Sequence, residues 1–184
     1  MKKGKLFIIS GPSGVGKSTV LQAVLSSMPD LYFSVSATTR PARPGEVDGR
    51  EYYFVTEEHF AQTDRAGGFL ESARYVDYAY GTPLAPILEK MGAGIHVLLD
   101  IEVQGAIQVK EKMPEAVMIF LSPPSMETLE ERLRSRGTDT DEKIEKRLLT
   151  AAQELSQLSR YDYLVVNDTI EQAVSEIREI ILGI

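Results

Sequence analysis

The sequence predicts an α/β fold in which a parallel sheet is flanked by helices. Two observations predict it: short, almost wholly apolar runs bounded by turn residues, and segments of helical period that alternate with those runs. Parallel strands that are buried on both faces and joined by helical crossovers give this pattern. The chain has 184 residues, 43% of them hydrophobic and 26% charged, which suits one domain with a real core.

The first half of the chain starts with this alternation and then interrupts it. A polar stretch that contains Pro41, Pro44 and Gly45 marks the boundary of an inserted subdomain. The predicted elements here are a strand at 5–10, a helix over 19–25, a strand at 31–36, strands at 51–55 and 69–73 around a helix at 57–65, and a helix over 83–91.

The second half of the chain returns to the alternation of strands and helices. Two charged helices in it are separated by the short segment from Gly137 to Thr140. The predicted elements are a strand at 95–100, a helix over 105–112, a strand at 117–121, helices over 125–136 and 141–158, a strand at 163–166, and a helix over 169–182.

Composition excludes several classes of protein. The chain has no cysteine, so disulfides, thiol catalysis and cysteine metal sites are excluded, which fits the cytoplasmic location that we expect. No stretch reaches the roughly 18 apolar residues of a membrane span, so we expect no membrane partner. The net charge of −7 argues against nucleic-acid binding. An anion site must therefore be a local cluster of cations, and composition leaves monomer and homo-oligomer open.

Residues 11–18 carry the strongest chemical signal in the chain. They follow the pattern G-x-x-x-x-G-K-[ST] between a predicted strand and a predicted helix, which is the setting of a phosphate-binding loop. Glycines let backbone N–H groups turn inward, and the helix that follows adds its unpaired donors. Lys17 would reach the terminal phosphates and the Ser18 hydroxyl would ligate Mg²⁺. A glycine-rich turn with a solvated lysine is the weaker interpretation. The predicted ATP-binding residues of this segment are Gly11, Pro12, Ser13, Gly14, Val15, Gly16, Lys17, Ser18 and Thr19.

Asp100 stands at the carboxyl end of a predicted buried strand. Ligands of open α/β sheets bind at that edge, so the carboxylate could hold Mg²⁺ through water. It could instead cap the next helix. Position alone leaves both roles open, and the phosphate loop favours the metal.

A second candidate site lies on the proline-containing loop. Prolines 41 and 44 restrict the backbone, so Arg40 and Arg43 are presented from a stiff loop. Guanidinium groups held in this way suit bidentate contacts with a phosphate. Two arginines on a loop are usually solvated charge, but the proline frame favours an anion site.

Three arginines of the charged helices lack a carboxylate at helical spacing. Arg132 and Arg136 are four residues apart and repel each other, and Arg147 has no acid three or four residues away. A bound anion, such as a phosphoryl group in transfer, would offset the positive charge of these arginines. Taken alone, the pattern fits an exposed helix face better.

The inserted subdomain offers further candidate ligands. Glu71 follows Phe69-Leu70, so its carboxylate is predicted to be half buried and to need donors. The N1–H and exocyclic amine of a guanine base lie on one edge and could supply them. Tyr52 and Tyr80 are either packing residues or phosphate donors.

These residues together resemble the guanylate kinases over about residues 6–168. Resemblance implies a P-loop NTPase-type sheet, an inserted small GMP-binding α+β subdomain and a helical lid in one domain, residues 1–184. The motifs that carry it are the phosphate loop, SATTRPARPGE (36–46), GREYYFV (49–55), FLE (69–71), YGT (80–82), DIEVQG (100–105) and RGT (136–138). The implied parts are a core of 1–35, 83–124 and 159–184, a GMP-binding subdomain at 36–82, and a lid with flanking helices at 125–158.

The resemblance implies Mg²⁺-dependent transfer of the γ-phosphoryl group of ATP to GMP or dGMP, which gives ADP and the diphosphate in purine nucleotide metabolism and GMP recycling. It assigns Lys17, Arg40, Arg136 and Arg147 to catalysis, and Arg132, Arg136 and Asn167 to ATP. The implied GMP ligands are Ser36, Arg40, Arg43, Tyr52, Glu71, Tyr80, Thr82, Asp100 and Glu102. Many members carry Asp where this chain has Glu102, which reaches one methylene further.

Three alternatives remain open at this stage. A binding module of the same fold would hold a phosphopeptide without catalysis, but such modules have degraded phosphate loops, whereas Lys17 and Ser18 are intact here. A regulatory GTPase would carry an Asn-Lys-x-Asp signature, and the sequence has none. Another nucleotide or sugar-phosphate kinase is the nearest enzymatic alternative.

Overall fold

The computed structural model describes residues 3–75, 77–135, Gly137 and 139–184. Within these residues strands and helices alternate along most of the chain, which confirms the predicted α/β class. The elements are β1 Leu6–Ser10, α1 Lys17–Ser27, β2 Tyr32–Phe33, β3 Ala37–Thr38, β4 Tyr53–Phe54, α2 Glu57–Arg65, β5 Phe69–Tyr75, β6 Tyr78–Pro83, α3 Leu84–Gly92, β7 Val97–Asp100, α4 Val103–Lys112, β8 Val117–Ser122, α5 Met126–Ser135, α6 Asp141–Leu155, a 3₁₀ turn Leu158–Arg160, β9 Tyr163–Val166 and α7 Ile170–Gly183.

Five strands form a parallel sheet in the order β2-β7-β1-β8-β9. Strands β1 and β8 pair in parallel, with Phe7 opposite Val117, and every residue of both strands is buried. Strand β9 continues the sheet in parallel to β8, with Ile119 opposite Tyr163. The continuous apolar runs of β1 and β8 therefore mark strands that are covered on both faces, whereas the run of β9 forms an edge strand in which only Val165 is buried.

A smaller sheet has the order β4-β3-β6-β5. Strand β6 pairs in antiparallel register with both β3 and β5, and helix α2 begins at an N-cap threonine, Thr56, whose side chain accepts from the backbone N–H of His59. Phe60 of α2 stacks on Phe69 of β5, with ring centroids 4.6 Å apart. This sheet and α2 account for the α+β character that the sequence predicts for the insert.

Several predicted boundaries are wrong. The predicted strand at 31–36 is only two residues long, and strands β3 and β6 were not predicted at all. Helix α6 stops at Leu155 and a 3₁₀ turn follows, whereas the sequence predicts one helix to residue 158. The predicted end of the preceding helix, Arg136, lies outside the described residues.

The chain divides into two compact units. The first unit comprises Met1–Leu6, Asp30–Asp100 and Gln104–Ala116, and the second comprises Phe7–Pro29, Ile101–Val103 and Val117–Ile184. Phosphate-loop residues belong to the second unit, and the proline-containing loop belongs to the first. In the described part of the chain, no helix is long and apolar enough to cross a membrane.

Candidate functional site

The phosphate loop connects β1 to α1 in the second unit. Its turn is closed by a hydrogen bond of 3.1 Å from the Val15 N–H to the Pro12 carbonyl. Gly16 precedes α1 with a φ of 95°, a left-handed conformation that a side chain rarely adopts. The glycine spacing recognised in the sequence is therefore required by the backbone at this position.

The loop leaves backbone donors unused. The N–H groups of Gly16, Ser18 and Thr19 make no hydrogen bond to any described residue. All three lie at the start of α1, where the helix dipole favours an anion. The Ser18 side chain is exposed, and its hydroxyl likewise bonds to no described group. These groups can bind a phosphate and a cation that accompanies it.

Two side chains hold the outer face of the loop through one carbonyl. The Nδ2 of Asn167 donates to the Val15 carbonyl at 2.7 Å, and the Nη1 of Arg132 donates to the same oxygen at 3.2 Å. Arg132 also donates from Nη2 to the Asn167 carbonyl at 2.9 Å. The sequence left Arg132 without a local partner, and backbone carbonyls far along the chain supply its partners.

A cavity of about 500 Å³ adjoins this network. Its wall includes Gly14, Gly16, Arg132 and Asn167, together with the first residues of α7. Asn167 is buried, and its Oδ1 has no hydrogen-bond partner among the described residues. A buried acceptor without a partner is costly, so this side of the loop suits a ligand with a hydrogen-bond donor.

Arg147 of α6 approaches the same loop. Its Nη1 donates to the Ser13 Oγ at 3.1 Å and lies 3.4 Å from the Oδ2 of Asp139. Helical spacing did not reveal this acid, because Asp139 precedes the helix. Helices α5 and α6 pack through a small apolar cluster that includes Leu133 and Ile144. The predicted catalytic Arg136 lies outside the described residues.

Lys17 lies near Glu154, a carboxylate of its own unit. Burial raises the pKa of the α6 residue Glu154, nearby Glu102 raises it further, and Lys17 opposes both. Sequence reasoning missed Glu154, because no motif or local spacing connects it to the loop. Glu102, which the resemblance assigned to guanine, is exposed.

In the first unit, Arg40 is the centre of a buried polar network. Its Nη1 and Nη2 donate to the two carboxylate oxygens of Glu46 at 2.9 and 2.8 Å, and Nη1 also donates to the Pro41 carbonyl. The Arg43 N–H donates to Glu46 Oε2 at 2.7 Å. Arg40 lowers the pKa of Glu46, and Glu46 raises that of Arg40. Sequence reasoning quoted Glu46 but gave it no role.

Aromatic residues surround the Arg40 guanidinium. Its Cζ lies 5.4 Å from the ring centroid of Tyr52, and the Tyr80 hydroxyl is close enough to raise the pKa of Arg40 further. The rings of Tyr52 and Tyr80 meet edge to face at 5.9 Å. Burial raises the pKa of Tyr52, and the charge of Asp100 adds to that effect. The first unit therefore brings together Arg40, both tyrosines and Asp100, while the Arg43 side chain stays exposed on the same loop.

Glu71 and Thr82 form a second buried pair in this unit. The Thr82 hydroxyl donates to Glu71 Oε1 at 2.6 Å, and the Glu71 side chain is 6% exposed. A Cβ on Gly105 would lie 2.8 Å from Glu71 Oε2, so the glycine makes room for the carboxylate. Ser36 lies immediately before β3 and is half-buried.

Each unit thus carries its own set of ligand-binding groups. No cluster of three or more His, Cys, Asp or Glu side chains with metal-binding geometry occurs among the described residues. The second unit offers backbone N–H groups and Lys17, and the first offers arginine, tyrosine and a buried carboxylate. The two sets together suit two phosphorylated ligands, of which one also presents hydrogen-bond donors to Glu71.

Comparisons with known proteins identify the family of this chain. The family model described as "Guanylate kinase" matches residues 3–183. A guanylate kinase of Caldanaerobacter subterraneus subsp. tengcongensis is 48% identical over 99% of this chain and 88% of its own length, and one of Thermus thermophilus is 53% identical over 95% and 79%.

A solved structure gives the same result. The crystal structure of guanylate kinase from Anaplasma phagocytophilum matches with a TM-score of 0.80 and 36% identity, covering 99% of this chain and 86% of that one. Its fold agrees with the parallel sheet and flanking helices described above. The chain therefore belongs to the guanylate kinase family, and it is an enzyme, a phosphotransferase.

Proposed function

We propose that the protein transfers the γ-phosphoryl group of ATP to GMP, and also to dGMP, in a reaction that depends on Mg²⁺. The products are ADP and the guanosine or deoxyguanosine diphosphate. The observation that carries the proposal is the phosphate loop, whose Gly16, Ser18 and Thr19 N–H groups make no bond within the described structure. Three unused amides at a helix N-terminus, next to Lys17, form a binding site for a polyphosphate.

The donor nucleotide would bind through the second unit. Its β- and γ-phosphates would contact the loop amides and Lys17, and its adenosine would lie near the cavity beside Asn167. Arg147 already reaches the loop through Ser13, so it would add positive charge near the transferring group. Arg136 is assigned to the same role, and that assignment stays a prediction.

The acceptor nucleotide would bind through the first unit. Arg40, Arg43, Tyr52 and Tyr80 would contact its phosphate. The buried Glu71 carboxylate, to which the Thr82 hydroxyl donates at Oε1, would accept from guanine N1–H and the exocyclic amine. Adenine, cytosine and uracil do not present this pair of donors, so the site would select guanine. Ser36 and Glu102 are assigned to the base by resemblance alone.

Mg²⁺ fits the chemistry of the donor site. The Ser18 hydroxyl is exposed and bonds to no described group, so it is available as one oxygen ligand. Mg²⁺ usually keeps several waters and binds through one or two protein oxygens and the phosphates, so no dedicated acidic cage is needed. Asp100 would act through water. When bound, the ion would offset negative charge on the phosphates of ATP.

The reaction needs no general base. The attacking atom is a phosphate oxygen of the acceptor nucleotide, which is already anionic at neutral pH. The chain's own residues therefore have two tasks: they place the two phosphates in line, and they offset the repulsion between them. This explains why the chain carries arginine, lysine and amide donors in these positions and no histidine or cysteine pair.

We further propose the functional division into a core, a GMP-binding subdomain at 36–82 and a lid at 125–158. The small sheet β4-β3-β6-β5, most of which lies in residues 36–82, supports the GMP-binding subdomain. The packed α5–α6 pair supports the lid. Closure of a lid would exclude water that otherwise hydrolyses ATP. A role in purine nucleotide metabolism and GMP recycling follows from the products, and a cytoplasmic location stays a prediction.

The proposal is tested by measuring ADP release from ATP and Mg²⁺ in the presence of GMP, AMP, UMP or CMP. We expect release that depends on GMP, with the other three acceptors about a hundredfold slower or worse. Release that is independent of the acceptor, or fastest with another monophosphate, would contradict the assignment of GMP. No release with any acceptor would favour the alternative of a binding module for a phosphorylated peptide.

A further inference from the structure

The Val15 carbonyl receives two side-chain hydrogen bonds. Asn167 Nδ2 donates to it at 2.7 Å and Arg132 Nη1 at 3.2 Å. Both donors are held in turn: the Asn167 N–H donates to the Ser122 carbonyl at 2.8 Å, and Arg132 donates to the Asn167 carbonyl. The carbonyl is therefore fixed by a small network that is anchored at the end of β8.

Fixing this carbonyl fixes the amide that follows it. The peptide bond is planar, and the described chain contains no cis peptide, so the Val15 C=O and the Gly16 N–H point in opposite directions. The carbonyl points at Asn167 and Arg132, so the Gly16 N–H points away from them. That N–H is one of the loop donors without a partner in the described structure. The close approach of Asn167 leaves little freedom, since a Cβ on Gly16 would lie 2.7 Å from its Nδ2.

We propose that Asn167, with Arg132, is a positioning residue of the phosphate loop: by holding the Val15 carbonyl it aims the Gly16 N–H at the phosphates of ATP. The inference rests on the proposed function, because it takes the loop to be the polyphosphate site. Without the two donors, the Val15–Gly16 peptide plane could rotate, and the amide would have to be reordered each time a phosphate binds. Preorganised donors avoid that cost.

The alternative is that Asn167 serves ATP only by direct contact with its base. A ligand that has phosphates and no base separates the two roles. We therefore compare the binding of ATP and of inorganic tripolyphosphate to the wild-type protein and to an Asn167→Leu variant, by isothermal titration calorimetry. Leucine keeps the branched shape and the number of heavy atoms of the asparagine side chain, although its methyl groups are larger, and it removes the donor.

If Asn167 positions the loop, both affinities fall by a similar factor, about tenfold. If it contacts only the base, ATP binding weakens and tripolyphosphate binding stays at the wild-type value, which would overturn the proposal. Ile170→Ala is the matched control. Ile170 lines the same cavity and is 40% exposed, and its apolar side chain can donate no hydrogen bond to the loop, so tripolyphosphate binding should be unchanged.

A second readout follows the amide itself. In a ¹⁵N-labelled protein without nucleotide, Asn167→Leu should shift and broaden the Gly16 amide resonance, whereas Ile170→Ala should leave it in place. An unshifted Gly16 resonance in the Asn167→Leu protein would overturn the proposal. If Asn167→Leu melts below the assay temperature, Arg132→Met carries the same expectations, because it keeps the aliphatic stem and removes the second donor.

The failure of this inference can be told from the failure of the proposed function. If the wild-type protein binds neither ATP nor tripolyphosphate, the loop is not a polyphosphate site and the proposed function fails. If the wild-type protein binds both ligands and Asn167→Leu binds them equally well, the function stands and only the positioning role is wrong.

Discussion

The two units prepare ligand-binding groups in opposite ways. In the second unit the binding groups are backbone amides, and side chains such as Asn167 and Arg132 hold the loop by donating to its carbonyl. In the first unit the binding groups are themselves side chains, and carboxylates or hydroxyls hold them: Glu46 fixes Arg40, and Thr82 donates to Glu71. The arrangement in the second unit depends on backbone geometry, and the arrangement in the first unit depends on buried polar pairs.

This difference predicts different sensitivities. A site made of several amides should lose part of its affinity, about tenfold, when one holding side chain is removed, and should lose function when its main cation is removed. A site made of buried side chains should respond in proportion to each pair that is broken, because a buried charge without its partner is costly. The variants below test this contrast, from the largest expected effect to the smallest.

Lys17→Ala should give the largest effect. The substitution removes the cation expected to neutralise charge on the transferring phosphoryl group, so turnover should fall by about a hundredfold or more. GMP binding should be unchanged, because the proposed acceptor site lies in the first unit and does not include this residue. Steady-state kinetics and calorimetry with GMP measure the two quantities. Unchanged turnover would remove Lys17 from the catalytic set.

Glu71→Ala should chiefly weaken the binding of GMP. The carboxylate is buried and is expected to accept from two donors of guanine, so the dissociation constant should rise about ten- to a hundredfold. ATP binding should be unaffected. Glu57→Gln is the matched control in the same unit, because Glu57 is an exposed carboxylate that pairs with Arg74. GMP affinity at the wild-type value in Glu71→Ala would exclude this residue from the base site.

Glu46→Gln should weaken GMP binding by less, about tenfold or below. The amide keeps the shape of the side chain but loses the charge that fixes Arg40, so Arg40 would be poorly oriented towards a phosphate. Guanosine has no phosphate, so its affinity should not change. Glu51→Gln is the control, because Glu51 accepts from Val47 and Arg50 on the same loop rather than from Arg40. Tighter GMP binding in Glu46→Gln would mean that Glu46 competes with the phosphate.

Gly105→Ala should give the smallest effect of the four. The new Cβ would lie 2.8 Å from Glu71 Oε2, so the carboxylate must move to accommodate it. GMP affinity should fall about threefold, while the melting temperature stays close to that of the wild type, since alanine suits the helix α4 backbone. Gly92→Ala has open space around its Cβ and is the control. An equal loss in both variants would rule out an effect through Glu71.

The sequence predicts the contiguous phosphate loop better than it predicts the small sheet of the first unit. The phosphate loop, β1 and α1 are contiguous in the chain. The spacing of Gly, Lys and Ser in residues 11–18 is enough to identify the loop, so the motif found it. Strands β3 and β6 were missed because each is defined by its partner: Ala37 pairs with Gly81 and Thr38 with Tyr80, across a long stretch of chain. A two-residue strand, and a strand that contains Gly81 and Pro83, carry little local signal of their own.

Side-chain networks were the least predictable part. Arg134 pairs with Glu130, which lies four residues before it, so helical spacing is enough to find this contact. It could not pair Arg147 with Asp139 or Arg132 with the Val15 carbonyl, because tertiary packing decides those contacts. The resemblance to the guanylate kinases placed Glu71 and Thr82 in one site. Composition and hydrophobic periodicity alone do not point to Thr82. Glu46 and Glu154 had no signal that could distinguish them from surface acids.

The most direct test of the account is a pair of titrations on three proteins. ATP and GMP are each titrated by calorimetry into the wild type, Lys17→Ala and Glu71→Ala. We predict that Lys17→Ala weakens ATP binding and leaves GMP binding intact, and that Glu71→Ala does the reverse. If either substitution weakens both ligands equally while the protein stays folded, the claim that each unit carries its own nucleotide site is contradicted.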